Sequence, residues 1–276
     1  MIERRRRKSR FVKLFDKTPT DVECPHFYEL VLSNGCPYNC TYCYLKLTFK
    51  GNTNPVLFSN DWTEVEKELE AVQHGVFSTG ELADSLAIEP PLLEKALSYF
   101  SSQRSKFMLL LTKSTNIQPL LRQKPSDSII VSFSINSDSA HAKWESSTPS
   151  PRERIEAAKT LKAEGWRVRI RIDPIIIDDR FSEYEEVCKM VKAVNPERVT
   201  IGTLRHYRGL FNFSPEAPQK GLIHCPDGRM RYPVNTRVSA YRQVKNWLGI
   251  QPALCKETKA VWRRLGWNFL GCNCTE

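Results

Sequence analysis

Between residues 26 and 204, short apolar runs of strand length alternate with stretches whose apolar residues recur at helical spacing, and that rhythm admits few architectures. The spacing predicts strands over residues 26–32, 76–80, 106–112, 128–135, 167–177 and 198–204. Between them, Asn60 or Asp61 caps a helix running to Gln73, with Trp62, Val65, Leu69 and Val72 on one stripe. Further helices are expected over 90–100 and 181–193. Ser150-Pro151-Arg152-Glu153 has the capping-box pattern with proline at the first helical position, so a helix should run to Glu164, where Gly165 stops it. Six strands alternating with helices call for right-handed parallel βαβ units and a sheet that curls with its helices outside, a partial (β/α)6 TIM-type barrel. Chemistry in such folds sits at the C-terminal ends of the strands, where the loop after residue 32 and the loop 78–84 both fall.

The ends of the chain depart from this rhythm. Residues 1–10 hold six basic residues and one acidic, half of the formal net charge of +10 carried by all 276 residues. The arm over 1–20 is therefore either a solvated segment or a phosphate-binding one. Beyond Tyr207, Pro215, Pro218, Pro226 and Pro233 with several glycines suggest an irregular segment and then a helix near 237–247. The expected organisation is a basic arm (1–20), a barrel (21–206) and a C-terminal extension (207–276). No apolar stretch approaches the roughly 20 residues a bilayer crossing needs, and no secretory pattern follows the basic start, so a cytoplasmic protein with no membrane partner is expected.

In that compartment nine cysteines argue for metal binding rather than disulfides. Cys36-Pro-Tyr-Asn-Cys40-Thr-Tyr-Cys43-Tyr44-Leu45 has the C-x3-C-x2-C pattern. Structural zinc wants four ligands, usually in pairs, and no second pair stands at a suitable distance. Three thiolates on one tight loop suit a [4Fe–4S] cluster with one iron left free of protein.

This spacing, with an aromatic residue just before the third cysteine, resembles the signature of the radical S-adenosylmethionine (SAM) superfamily. Together with Phe-Ser-Ile-Asn at 133–136 and Thr148-Pro149-Ser150-Pro151-Arg152-Glu153-Arg154, it resembles the spore photoproduct lyase family over about residues 28–177. The resemblance implies that the free iron on Cys36, Cys40 and Cys43 binds SAM, and that an electron from an external reductase, flavodoxin or ferredoxin, cleaves it to a hydrogen-abstracting 5′-deoxyadenosyl radical. Ser78-Thr79-Gly80-Glu81 matches the segment that receives the SAM ammonium, with Glu81 its carboxylate; the alternative for Glu81 is an ordinary surface carboxylate. Lys113 matches a lysine that pairs with the SAM carboxylate, or else is a solvated strand-end lysine. Ser134 and Asn136 match groups that bond the ribose and the carboxylate, or else form a strand-end turn. Tyr42 would pack near the adenine and Tyr44 line the pocket, and both match tyrosines associated with passing a hydrogen atom. The match fails at one place: Glu81 stands where the lyases carry the cysteine that returns hydrogen to the product radical, so rearrangement or oxidation of the substrate is expected rather than dimer repair.

A second cysteine group, Cys255, Cys272 and Cys274, reads as an auxiliary iron–sulfur cluster with Cys225 or His224 as fourth ligand, as a zinc site, or as free thiols. Cys188 reads as core and Cys24 has no assigned role. The expected substrate is a nucleobase, free or in nucleic acid. The alternatives are a peptide or amino-acid-like substrate, and a non-catalytic iron–sulfur module that docks on nucleic acid.

Overall fold

The computed structural model describes residues 2–145 and 147–276; Met1, the first residue of the basic arm, lies outside them. The six expected strands are present at Phe27–Leu30, Gly75–Ser78, Lys106–Thr112, Ile129–Ser134, Arg167–Ile175 and Arg198–Thr203. They run parallel, in that order, within one eight-stranded sheet. The fold is α/β, a curled, open half-barrel. Its faces follow the two-residue period of a strand. Met108, Leu110, Ile129, Val131 and Phe133 pack outward against Ala96, Leu97, Phe100, Ala158 and Leu161 of the helices. Val76, Phe107, Leu109 and Ile130, one residue out of phase, form a separate inner cluster. Higher along the same inner face the side chains turn polar, since the register aligns Ser132 with Arg169 and Ser134 with Arg171 and Thr200. The interior therefore has an apolar floor and a charged mouth.

Local signals position these elements. Asp61 with Glu64, and Ser150 with Glu153, form capping boxes at the starts of Trp62–Glu70 and Pro151–Ala163. Gly165 at φ +91° breaks the second of these helices before the fifth barrel strand. A helix at Asp138–Trp144, capped by the Ser137 hydroxyl, lies within a stretch with no expected element. Among the described residues no helix is long and apolar enough to cross a membrane.

Both ends of the chain are more ordered than the sequence suggests. Within the basic arm, Glu3–Arg5 pairs parallel with Val56–Phe58, and Val12–Phe15 adds an antiparallel strand beside Phe27–Leu30. The Arg7 guanidinium lies over the rings of Phe11 and Phe58, at 5.8 and 5.1 Å, and its backbone N–H donates to Asn60 at 2.6 Å. Phe11 is the anchor that charge counting overlooked, being almost fully buried. In the extension, the helix is longer than expected, Val234–Leu248. The stretch read as irregular supplies Ile223–His224 and Arg229–Arg231, which form a three-stranded antiparallel sheet with Arg205–Tyr207. Ala253–Leu254 joins the main sheet as a seventh parallel strand beside Arg198–Thr203.

Candidate active site at the mouth of the half-barrel

The three-cysteine loop leaves the first barrel strand through Gly35, whose φ of +76° and contact with backbone admit no side chain: a Cβ would meet the Asn54 carbonyl oxygen at 2.3 Å. The Cys36 N–H donates to Thr53 and the Thr41 N–H to Trp144, at 2.8 and 3.0 Å, which ties both ends of the loop to the scaffold. Cys43 donates back to Cys40, and Lys46 to Cys43, both at 3.1 Å, so the last cysteine opens a short helix. The three thiols line one cleft together with Tyr38, Tyr42, Tyr44, Gly80, Asp84, Lys113 and Ser134. Burial pushes the Cys36 thiol up to about 12, the Asp84 charge adding to it, and burial raises Cys40 and Cys43 too. A metal here must displace those protons.

Of the residues expected to hold SAM, the fold brings Tyr42, Gly80, Lys113 and Ser134 to this cleft. Gly80 is required sterically: a Cβ would stand 2.5 Å from that of Leu111. Four other expected residues are engaged elsewhere. Thr79 is buried and bonded to Ser85 at 2.6 Å, and the Ser78 hydroxyl accepts from the Gly80 N–H at 3.4 Å. The Glu81 carboxylate lies 4.0 Å from Lys256, while its carbonyl accepts from the Tyr44 hydroxyl. Asn136, expected to reach ribose or carboxylate, is buried, donating to Glu145 at 2.8 Å and accepting from Tyr184 at 2.6 Å.

Glu145 is the site residue that sequence reading missed. Its side chain is fully buried. It accepts from Tyr42 and Asn136 and pairs with Arg154 at 2.8 Å and Lys113 at 4.0 Å. Burial alone would raise its pKa, but Lys113 and Arg154, with the bonds from Tyr42 and Asn136, hold it down to about 2. Lys113 also lies over the Tyr42 ring, 5.9 Å from its centre. Asp84 is a second unflagged wall residue: it accepts from the Thr112 hydroxyl at 2.6 Å and the Lys113 N–H at 2.7 Å, and so fixes the end of the third strand.

The C-terminal cysteines come together only in part. Cys272 and Cys274 flank Asn273 in one turn, their thiols within electrostatic reach of each other. Cys255 accepts from Arg205 at 3.1 Å and Arg171 at 3.4 Å, and both guanidiniums also hold Asp173. Cys225 stands apart on the small sheet, where Arg237, Asp227 and Arg231 surround it, and His224 is beside it. Cys188 is core, as read from its helix. Among the described residues, no three His, Cys, Asp or Glu side chains converge on a single ion position, the Cys36–Cys40–Cys43 loop included.

A half-barrel of parallel strands, with a three-cysteine loop after its first strand opening on a cleft at the strands' C-terminal ends, is the architecture of the radical SAM proteins. Within that class, the family model of spore photoproduct lyase matches residues 15–206, and the chain belongs to that family. It is 28% identical over 172 residues to a spore photoproduct lyase from Clostridium acetobutylicum, covering 59% of this chain and 51% of that one. A solved spore photoproduct lyase complexed with dinucleoside spore photoproduct superimposes with a TM-score of 0.73 at 17% identity, over 91% of this chain and 80% of that one. A substituted form with bound AdoMet and dinucleoside spore photoproduct gives 0.69 at 18% identity, over 87% and 78%. The aligned regions span 51% to 59% of the length of the curated relatives.

Proposed function

We propose that this chain is a radical SAM enzyme in which Cys36, Cys40 and Cys43 hold a [4Fe–4S] cluster and the adjoining cleft takes SAM. The observation that carries the reading is the convergence of three thiols from one loop with Gly80, Lys113 and Ser134 on a single cleft at the strand ends. The donor set fits the group: one buried and two half-buried thiols on a loop tied at both ends leave one iron of a cubane for an exogenous ligand. When bound, the cluster supplies the electron that splits the sulfonium of SAM into methionine and a hydrogen-abstracting radical.

The rest falls to the protein. Lys113 offers a compact ammonium to a carboxylate, and because Glu145 is already engaged by Tyr42, Asn136 and Arg154, the lysine can lean toward the cleft without leaving that acid bare. Gly80 lets a ligand approach the backbone of the loop after the second strand. Ser134 presents a hydroxyl from the fourth strand, and Tyr42, fixed by Glu145, forms a wall whose ring can pack on a base. Asn136, Ser78 and Thr79 support these groups from behind.

In this reading the substrate is a nucleobase in nucleic acid. Supporting it are the family, the dinucleoside bound in a relative, and the exposed Arg4, Arg5, Arg6, Lys8 and Arg10. A base in a duplex must be flipped out to reach the cleft. Glu81 has no hydrogen atom that it readily gives to a substrate radical, which favours rearrangement or oxidation over repair. A flavodoxin- or ferredoxin-type donor supplies the electron, and Cys255, Cys272 and Cys274 serve a second metal centre.

The test is anaerobic reconstitution, reduction in the presence of SAM, and quantitation of 5′-deoxyadenosine. The wild-type chain forms it, Cys40→Ala reduces it to background, and Lys113→Ala lowers it at least tenfold at limiting SAM. A reconstituted chain that forms none refutes the assignment.

A further inference from the structure

Cys255, Cys272 and Cys274 are one ligand short of a closed metal site. The fold brings a fourth, and it is not Cys225. The two-residue strand Val22–Glu23 pairs antiparallel with Glu257–Thr258, Glu23 facing Glu257 and Val22 facing Thr258. One further step along this register sets Cys24 across from Lys256, next to Cys255. Cys255 itself caps the seventh barrel strand, its N–H donating to Ile201 at 2.8 Å. From below, residues 272–275 form a turn in which the Thr275 hydroxyl accepts from the Cys272 N–H at 2.9 Å. Buried Arg169 and part-buried Arg198 clamp that turn through the carbonyls of Asn273 and Cys272, at 2.8 and 2.7 Å. Cys274 then packs on the inner cluster of Val76, Phe107, Leu109 and Ile130. The Cys272 thiol lies within electrostatic reach of those of Cys274, Cys255 and Cys24, and Cys24 within reach of Cys274.

The surroundings suit anionic sulfur better than inert filler. Arg171 and Arg205 both donate to Cys255, and Lys256 stands beside it in sequence. Two buried polar atoms nearby, Arg171 Nε and Asn273 Nδ2, lack a hydrogen-bond partner, which is uncommon in a settled interior. Free buried cysteines that merely pack are surrounded by apolar groups; Cys255 faces two guanidiniums.

We propose that Cys24, Cys255, Cys272 and Cys274 form a tetrathiolate metal centre, for zinc or an iron–sulfur cluster, distinct from the Cys36–Cys40–Cys43 loop. It deepens the second-centre part of the functional reading by naming its ligands. The four thiols are neighbours rather than a closed tetrahedron, and binding requires them to turn inward by rotamer change, with loss of their protons. The guanidiniums offset the surplus negative charge of four thiolates.

The test is metal analysis of the full-length chain, purified and reconstituted without oxygen, alongside Cys24→Ser, Cys274→Ser, Cys225→Ser and Cys40→Ala. Wild type is expected to carry about four irons for the first cluster plus either about one zinc or about four further irons, the two arms separating the metals. Cys24→Ser and Cys274→Ser lose that second complement while keeping the first cluster and 5′-deoxyadenosine formation; Cys225→Ser keeps everything. Cys40→Ala loses the first iron complement and keeps the second, so failure of the SAM reading and failure of this one are distinguishable. A wild-type chain with about four irons, no zinc and four thiols open to alkylation overturns the proposal, with no variant needed. So does a Cys24→Ser protein with full metal content, or loss of the second complement in Cys225→Ser.

Discussion

At the scale of single residues, the site depends on a carboxylate the sequence does not advertise. Glu145 stands between a helix end and a serine pair, with no motif around it, and becomes legible only when the fold brings Tyr42, Lys113, Asn136 and Arg154 to it. Glu145→Gln leaves the Arg154 guanidinium buried without a counter-charge, and the unfolding free energy at pH 7 should fall by about 3–5 kcal/mol in urea denaturation. The sign with pH follows from linkage. The carboxylate is held down to about 2 in the fold and titrates near 4.3 when unfolded, so its contribution is complete above about pH 4.3 and is lost as pH falls toward 2. The gap between wild type and variant should narrow over that window; a constant gap would contradict the assignment. His206 gives a second window. It is buried on the small sheet with neither ring nitrogen hydrogen-bonded, and burial lowers it to about 4. The unfolded chain protonates first, near 6.5, so stability should decline from about pH 6.5 down to 4, and His206→Phe should flatten that decline by about 1–3 kcal/mol. Of the ligand-binding residues inferred from the sequence, Lys113, Ser134 and Gly80 reach the cleft because strand-end position fixes where they point. Asn136 does not, since the sequence cannot say that Tyr184 and Glu145 claim its amide.

At the scale of elements, what was legible is what rests on local physics. The third strand is found at its expected bounds, because seven residues of continuous buried character admit no other period. The helix Pro151–Ala163 starts where its capping box places it. Short elements escape this reading: Ala253–Leu254 and Val22–Glu23 hold their places through register with distant partners, not through their own composition. The order within the basic arm escapes the sequence for a related reason. Its charge is real, but Phe11 and the guanidinium of Arg7 fasten it to Phe58, so the exposed cations stand on a folded edge rather than on a loose tail. Such an edge presents charge in a fixed geometry. Replacing Arg4, Lys8 and Arg10 together with alanine should weaken oligonucleotide binding uniformly across sequences and reduce the slope of log affinity against log salt by about two to three. Fluorescence anisotropy at several salt concentrations measures that slope, and an unchanged slope would remove the arm from the nucleic-acid interface.

At the scale of the whole molecule, segments near the two chain ends extend the half-barrel at both of its edges. Val12–Phe15 and Ala253–Leu254 form its two edges, and the ribbon between Val22–Glu23 and Glu257–Thr258 ties the start of the chain to its end. The last residues go further and enter the interior, just above the apolar floor. Ser132 donates to the buried Asn273 side chain at 2.8 Å, and Arg169, whose side chain is fully buried, donates to the carbonyls of Asn273 and Thr275 while its other face meets Glu197 at 3.0 Å. Ending the chain at Leu270 removes those carbonyls. Arg169 would then keep only Glu197, itself partly exposed, and Ser132 would face an opened floor, so water must enter the inner face or the guanidinium must go unsatisfied. Either route costs about 3 kcal/mol or more. The urea midpoint should drop with little change in slope, whereas Asn273→Ala, which keeps the backbone carbonyls, should cost only about 1–2 kcal/mol. The cysteine loop after the first strand lies at the opposite, open end and is anchored by Thr53 and Trp144. The truncated chain should therefore still take up its first complement of iron below its unfolding midpoint. Loss of that iron in a chain still folded by circular dichroism would show instead that floor and mouth are coupled through Arg169 and Arg171 on the shared fifth strand.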